Sequence, residues 1–204
     1  MARRVIPKPF AYPRQAHIRR HGPGGWKDYQ KYRQWLRDEF TFRCVYCLER
    51  ERWRDMRGTY QIDHFQPQIL RPDLECDYDN LLYLCPACNN KKRDFMLPDP
   101  CSVALGNCLR VHKNGSIEAL NDDGKLLVDV LVLDDPRAED FRRMLIGTLL
   151  SLAKCDWNRF VDWMRYPNDL PDLAQTPPPS NSRLAGIAES HFEKRKRGEL
   201  GEVY

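Results

Sequence analysis

The sequence of 204 residues has no apolar run that approaches the roughly 20 residues of a membrane-spanning helix. Its opening Met-Ala-Arg-Arg-Val-Ile-Pro carries charge but leads into no apolar stretch, so no secretory signal and a cytoplasmic location are expected. Net charge is small: 33 Lys and Arg against 29 Asp and Glu leave +4. The sign suits a nucleic-acid partner, but a balance this slight does not establish one. No internal repeat of useful length is present, which argues against a solenoid or propeller array.

Cysteine is not scarce. There are eight, and in a chain without a secretory signal paired Cys-x-x-Cys spacing points to metal binding rather than to a disulfide framework. Cys44 with Cys47 and Cys85 with Cys88 have that spacing. Cys76, Cys101, Cys108 and Cys155 do not, and read as ordinary small residues. Four thiolates can close a tetrahedral zinc site. The stretch between the two pairs is longer than in a plain zinc ribbon, and it contains Tyr60-Gln-Ile-Asp-His64. An adjacent Asp-His is not needed by a closed four-thiolate site. Two metal centres are therefore expected, a structural zinc and a hydrolytic site built on Asp63 and His64. The alternative is a non-catalytic zinc module that binds nucleic acid or protein.

Along the chain, residues 1–25 are rich in Arg, Pro and Gly and read as a basic extended arm, with Arg3, Arg4, Arg14, Arg19 and Arg20 available to a partner. Trp26, Tyr29, Tyr32, Leu36 and Phe40 recur at helical spacing, with Lys27, Lys31, Arg33 and Arg37 on a solvated opposite face. Residues 48–58 read as a turn or short helix. Tyr60 to Phe65 alternates as a strand does, and Pro67 and Pro72 then impose a loop. Asn80-Leu-Leu-Tyr-Leu leads into the second cysteine pair, where Pro86 suits the first turn of a helix that continues through Asn89, Asn90, Lys91, Lys92 and Arg93. Asn114-Gly115 between apolar runs predicts a hairpin. Lys125 to Leu133 is expected to be a third strand. Asp134 or Asp135 is expected to cap a long helix opened by Pro136, its buried stripe running through Phe141, Leu145, Leu149 and Leu152 and extended by Phe160, Trp163 and Met164. Pro177 to Ser180 reads as a linker, and 182–197 as a last helix ending in Lys194, Arg195, Lys196 and Arg197. The expected organisation is a basic arm over 1–25, a core over 26–98, a hairpin-and-helix extension over 99–175, and a linker with a basic helix over 176–204.

The order Cys-x-x-Cys, Asp-His, Asn-Leu-Leu, Leu-Cys-x-x-Cys-Asn-x-x-Lys, from about Phe42 to Lys92, resembles the HNH (His-Asn-His) endonuclease family. The resemblance implies an α+β fold around a ββα-metal core. It implies that His64 is the general base, that Asp63 ligates a catalytic Mg²⁺ or Mn²⁺, and that Asn80 orients the base. The second ligand, often histidine in the family, falls on Asn89 as in HNN variants, with Asn90 the next choice. Before that resemblance, the residues suggest that Asn80 accepts a hydrogen bond from one imidazole nitrogen, and that Lys91, Lys92 and Arg93 either contact phosphates or form a solvated helix face. The implied reaction is phosphodiester hydrolysis in DNA, with RNA as a further possible substrate. The region after the motif more loosely resembles HNH proteins that act in phage defence beside an ATPase.

Overall fold

The computed structural model describes residues 6–53 and 59–204. Arg3 and Arg4, and the second half of the expected 48–58 turn, lie outside the described residues. The fold is α+β, with three two-stranded antiparallel sheets set among helices. β1 (Pro23–Gly24) and β6 (Ser180–Asn181) pair, so the two ends of the chain are joined side by side. β2 (Gln61–His64) pairs with β3 (Leu81–Leu84), placing Asp63 opposite Leu82. β4 (Leu109–Val111) and β5 (Ile117–Ala119) form the hairpin expected around Asn114-Gly115, with Gly115 at φ +87°, where a side chain would be strained.

The helix expected from Trp26 begins later. Asp28 accepts from the Gln30 amide and opens a short 3₁₀ turn over Tyr29–Tyr32, which runs into α1 (Arg33–Glu39). Trp35 and Leu36 are fully buried against β3 and the stacked pair Tyr60–Tyr83, whose ring centroids are 5.2 Å apart. The face expected to be solvated is so at Lys27 and Lys31 but not at Arg37. Arg37 is buried in a forked pairing with Glu51, 3.0 and 2.8 Å, and Asp38 and Glu39 are buried as well.

Asp38 and Glu39 explain the Arg-rich arm. Asp38 accepts from His21 Nε2 at 2.8 Å and from His191 Nδ1 at 2.9 Å. Glu39 is held by His17 Nε2 at 2.8 Å and by the amides of Arg20 and His21, both at 2.9 Å. Arg19 reaches the Leu81 carbonyl at 2.6 Å, and the Arg20 guanidinium bonds to the Asp38 and Glu39 carbonyls. Residues 17–21 are thus packed on the core rather than extended for a partner. Buried carboxylates need compensating donors, and this segment supplies them.

Helix α2 (Pro86–Lys92) starts with Cys85 as its cap and Pro86 in its first turn. The strand expected over Lys125 to Leu133 is instead helical, within α3 (Asp122–Leu131). The Asn121 side chain accepts from the Gly124 amide at 2.9 Å, and Leu127, Val128 and Leu131 are buried together at helical spacing. A short run of Leu and Val fits either period; here the cap and the apolar side chains one turn apart decide for the helix. Asp135 caps α4 (Pro136–Cys155) as expected, accepting from Arg137 and Ala138. The stripe does not continue unbroken, because Asp156 starts a separate helix, α5 (Trp157–Met164). The last helix is also divided, into α6 (Ala185–Ala188) and α7 (His191–Lys196), with Ser190 capping the second. Its basic run is largely engaged: Lys194 with Glu189 and Arg197 with Glu199, and Arg195 with the Pro167 carbonyl.

Candidate active site and metal centre

The two Cys-x-x-Cys pairs come from different structural settings. Cys44 and Cys47 sit in a tight loop in which the Leu48 amide returns to the Cys44 carbonyl at 3.0 Å. Leu48 takes φ 61°, a left-handed conformation in which glycine is the ordinary occupant. Cys85 and Cys88 belong to the start of α2, where Cys85 Sγ accepts from the Cys88 amide at 3.5 Å. The Val45 amide bonds to the Tyr83 carbonyl at 3.1 Å, so the first loop is sewn to the strand that delivers the second pair. All four Sγ atoms lie within 4.8 Å of one another, with Cys47 and Cys85 at 3.7 Å. Thiolates at about 2.3 Å from a tetrahedral zinc stand about 3.8 Å apart, so the cluster fits a four-coordinate ion. Among the described residues it is the only such group of three or more His, Cys, Asp or Glu side chains.

The same helix crosses β2. Gln61 and Asp63, two residues apart, share one face of the strand; Asn89 and Lys92, three apart, share one face of α2. The faces meet. Asn89 Nδ2 donates to Gln61 Oε1 at 2.7 Å, leaving the Asn89 amide oxygen for another partner. Lys92 Nζ donates to the His64 carbonyl at 2.9 Å and makes an ion pair with Asp63 Oδ2, also at 2.9 Å. No hydrogen-bond donor among the described residues is aligned on that buried Oδ2. Burial pushes the Asp63 carboxyl above its ordinary range, against the opposing pull of the Lys92 ammonium. Asp63 and Asn89 offer a carboxylate and an amide oxygen, the ligand type a hard divalent cation takes, although the Lys92 ammonium already faces Oδ2.

His64 ends β2 with 8% of its surface exposed. Its Nε2 lies 2.9 Å from the Glu75 carbonyl. A carbonyl only accepts, so Nε2 carries a proton, and Nδ1 is the nitrogen that holds the lone pair whenever the ring is neutral. The edge-on ring of Tyr29, with centroids 4.8 Å apart, fixes the imidazole from the side.

Two expectations change here. Asn80 does not touch the imidazole. Its Oδ1 accepts from the Gln66 amide at 2.8 Å, and its Nδ2 donates to the Gln66 and Leu74 carbonyls at 3.1 and 3.3 Å. It pins the loop whose next residue, Glu75, holds His64. Lys92 is fully buried, so it is neither a solvated side chain nor a surface phosphate contact. Of its neighbours, Lys91 bonds to the Val132 carbonyl at 3.3 Å, while Asn90 and Arg93 are exposed. Gln61, Glu75 and Tyr29 were not marked by the motif. Gln61 was legible as the same-face neighbour of Asp63; the Glu75 contribution is a backbone carbonyl, which no side chain announces.

A cleft of about 540 Å³ opens beside the cysteines, lined among others by Phe10, Lys91, Val132, Arg137 and Phe141, with neither Asp63 nor His64 on its wall. The Asp63–His64 pair is separate from it, at the junction of β2, the 65–80 loop and α2.

Residues 44–95 match the family model of the HNH endonucleases. The Septu protein PtuB of Bacillus thuringiensis is 32% identical over 112 residues, which are 52% of this chain and 42% of that protein. The chain therefore spans less than half the length of that curated relative.

Proposed function

We propose, on the premise that residues 44–95 form an HNH endonuclease domain, that this protein is a metal-dependent endonuclease acting on DNA. The observation that carries the reading is the placement of His64: its Nε2 donates to the Glu75 carbonyl, which leaves Nδ1 as the nitrogen that can accept a proton, and the buried Asp63 precedes it on the same strand. His64 takes the proton of a water molecule as that water attacks phosphorus. Asn80 holds the 65–80 loop so that Glu75 keeps the ring in one tautomer and orientation. Asp63 and Asn89 are the residues that would hold Mg²⁺ or Mn²⁺. When bound, such an ion neutralises phosphate charge and stabilises the leaving oxygen. Cys44, Cys47, Cys85 and Cys88 hold a structural zinc that fixes β3 and the start of α2. Lys91 and Arg93 are the remaining candidates at this end of the molecule for phosphate contact.

The similarity to the Septu protein PtuB, together with the resemblance to HNH proteins that work beside an ATPase, makes a defence role, an ATPase partner and a cytoplasmic location parts of the same proposal. No helix among the described residues is long and apolar enough to cross a membrane.

The test is nicking of plasmid DNA with Mg²⁺ or Mn²⁺ by the purified protein, with and without His64 and with and without a co-expressed ATPase. Cleavage that requires His64 supports the reading. Zinc-containing, folded protein that binds DNA but leaves it intact in every arm would replace it with a non-catalytic zinc module, and cleavage confined to RNA would move the substrate.

A further inference from the structure

Asp63 is the one carboxylate of the proposed ion site, and it is already answered by a cation. The Lys92 ammonium is 2.9 Å from Asp63 Oδ2, and the side chain is completely shielded from solvent. It cannot swing out to make room, because its second hold, on the His64 carbonyl at 2.9 Å, lies in the same buried junction. Moving it away would also leave a buried ammonium without its counter-charge. The other residues at the junction, Asn89 and Gln61, are neutral amides, and His64 is neutral in the form that accepts a proton. Asp63 and Lys92 sum to zero, so the free junction offers a divalent cation one oxygen anion and a like charge beside it. In a medium of low dielectric, that neighbouring charge weighs heavily against the ion.

We infer that Lys92 is a positioning residue that keeps the catalytic ion weakly held in the free protein, and that the ion is retained only when a nucleic-acid phosphate arrives with the missing negative charge. The inference rests on the nuclease reading for the identity of that phosphate. Its consequence is an order of assembly: the loaded site forms on the substrate, and free protein at ordinary metal concentration is without its ion. The same ammonium keeps Asp63 and the His64 backbone in place between encounters, so the junction is organised before the ion is present.

The experiment is a titration of Mn²⁺, followed by electron paramagnetic resonance, into zinc-loaded full-length protein. It is run alone and with a short DNA duplex whose phosphorothioate linkages resist cleavage, and the Mn²⁺ bound by duplex alone is subtracted. Affinity for Mn²⁺ is expected to rise roughly tenfold or more with duplex present. Lys92→Met, which removes the charge, is expected to raise affinity in the free protein by roughly the same factor and to shrink the duplex effect, whereas Lys92→Arg keeps the wild-type pattern. Equal affinity with and without duplex in the wild-type protein overturns the inference, as does an unchanged free affinity in folded Lys92→Met. Should Lys92→Met fail to fold by circular dichroism, the wild-type comparison decides alone. A parallel cleavage assay with Mg²⁺ separates the two ideas. Cleavage combined with tight, duplex-independent Mn²⁺ binding ends the ordered assembly and leaves the nuclease. Duplex-dependent Mn²⁺ uptake without cleavage of any nucleic acid ends the nuclease and leaves the ordered assembly.

Discussion

Asn80 donates to the carbonyl of Leu74, 3.3 Å away, one residue before the carbonyl that holds His64. The central asparagine of the motif therefore reaches His64 through the loop and not through the ring. Both oxygens it donates to, and the Gln66 amide it accepts from, stand near the active centre and would lose a partner together. Asn80→Ala is expected to cost about 1 kcal/mol of stability by leaving part-buried backbone groups unpaired, and to lower turnover while the zinc content stays unchanged. Urea unfolding together with kcat for plasmid cleavage checks this. A variant with unaltered stability and activity would show that the loop does not need the anchor.

The four thiolates should bind about one zinc per chain, and that zinc should support folding rather than chemistry. The two cysteine pairs come from distant parts of the chain and are joined by the Val45–Tyr83 backbone bond, and a metal held by all four thiolates would add a further tie. Cys85→Ser removes one thiolate while leaving a side chain able to cap α2, so its effect reports on the metal. Loss of zinc by elemental analysis, with a large fall in Tm, is the expected outcome. A folded, metal-free and fully active Cys85→Ser protein would remove the zinc from the account.

Acid sensitivity should come from α1 rather than from the catalytic junction. Burial alone would raise the Glu39 carboxyl, but the hydrogen bond from His17, the charge of His21 and the Arg20 amide outweigh it and hold the group at about 2, against an ordinary 4.5. The folded-state value is depressed, so the stabilisation is present above about pH 4.5 and is lost as pH falls towards about 2. It amounts to roughly 2–3 kcal/mol. Asp38, drawn down by His191 and His21 despite its burial, adds to the same limb. Glu39→Gln is expected to be less stable at neutral pH and to show a shallower loss of Tm between pH 4.5 and 2. Thermal melts across that range measure it; an identical slope in the variant would place the acid sensitivity elsewhere.

How much of this was readable from the residues follows from what kind of signal each part carries. The ββα core as a whole followed from the family resemblance, but the β2 strand, the Pro86 helix start and the cysteine spacing were readable because they are local signals. So were the Asn114-Gly115 hairpin and the Asp135 cap. The Lys125–Leu133 run was misread because Leu and Val fit both periods, and the deciding Asn121 cap lies outside the run. Arg19 and Arg20 of the arm were misread because they look solvated until Asp38 and Glu39, in a helix that itself looked half exposed, are seen to be buried, whereas Arg14 is exposed as read. Lys92 has the same origin: a basic residue in a basic run is assigned to solvent unless the partner carboxylate is known to lie beneath it. Long-range charge pairing leaves no pattern in sequence, whereas caps, turns and ligand spacing do.

The sharpest test of the catalytic assignment is His64→Ala. The fold at this point rests on the four-cysteine cluster, the β2–β3 pairing and the Lys92 hold on the backbone carbonyl of residue 64, none of which uses the imidazole. The ring contributes one hydrogen bond to the Glu75 carbonyl and an edge contact with Tyr29, so its removal is expected to leave zinc content and DNA binding near wild type, with a modest loss of Tm. Asp63 and Asn89 remain, so the substrate-dependent uptake of Mn²⁺ should persist in the variant. What is lost is the group that accepts the proton from water, a contribution on the order of 10²–10⁴-fold in rate. Asp63→Ala should be as inactive for a different reason: it loses Mn²⁺ uptake and leaves the buried Lys92 ammonium unpaired, so its stability should fall as well. Measuring cleavage, Mn²⁺ uptake and Tm on both variants separates the base from the ligand. Cleavage by His64→Ala at the wild-type rate under Mg²⁺ would remove His64 as the base.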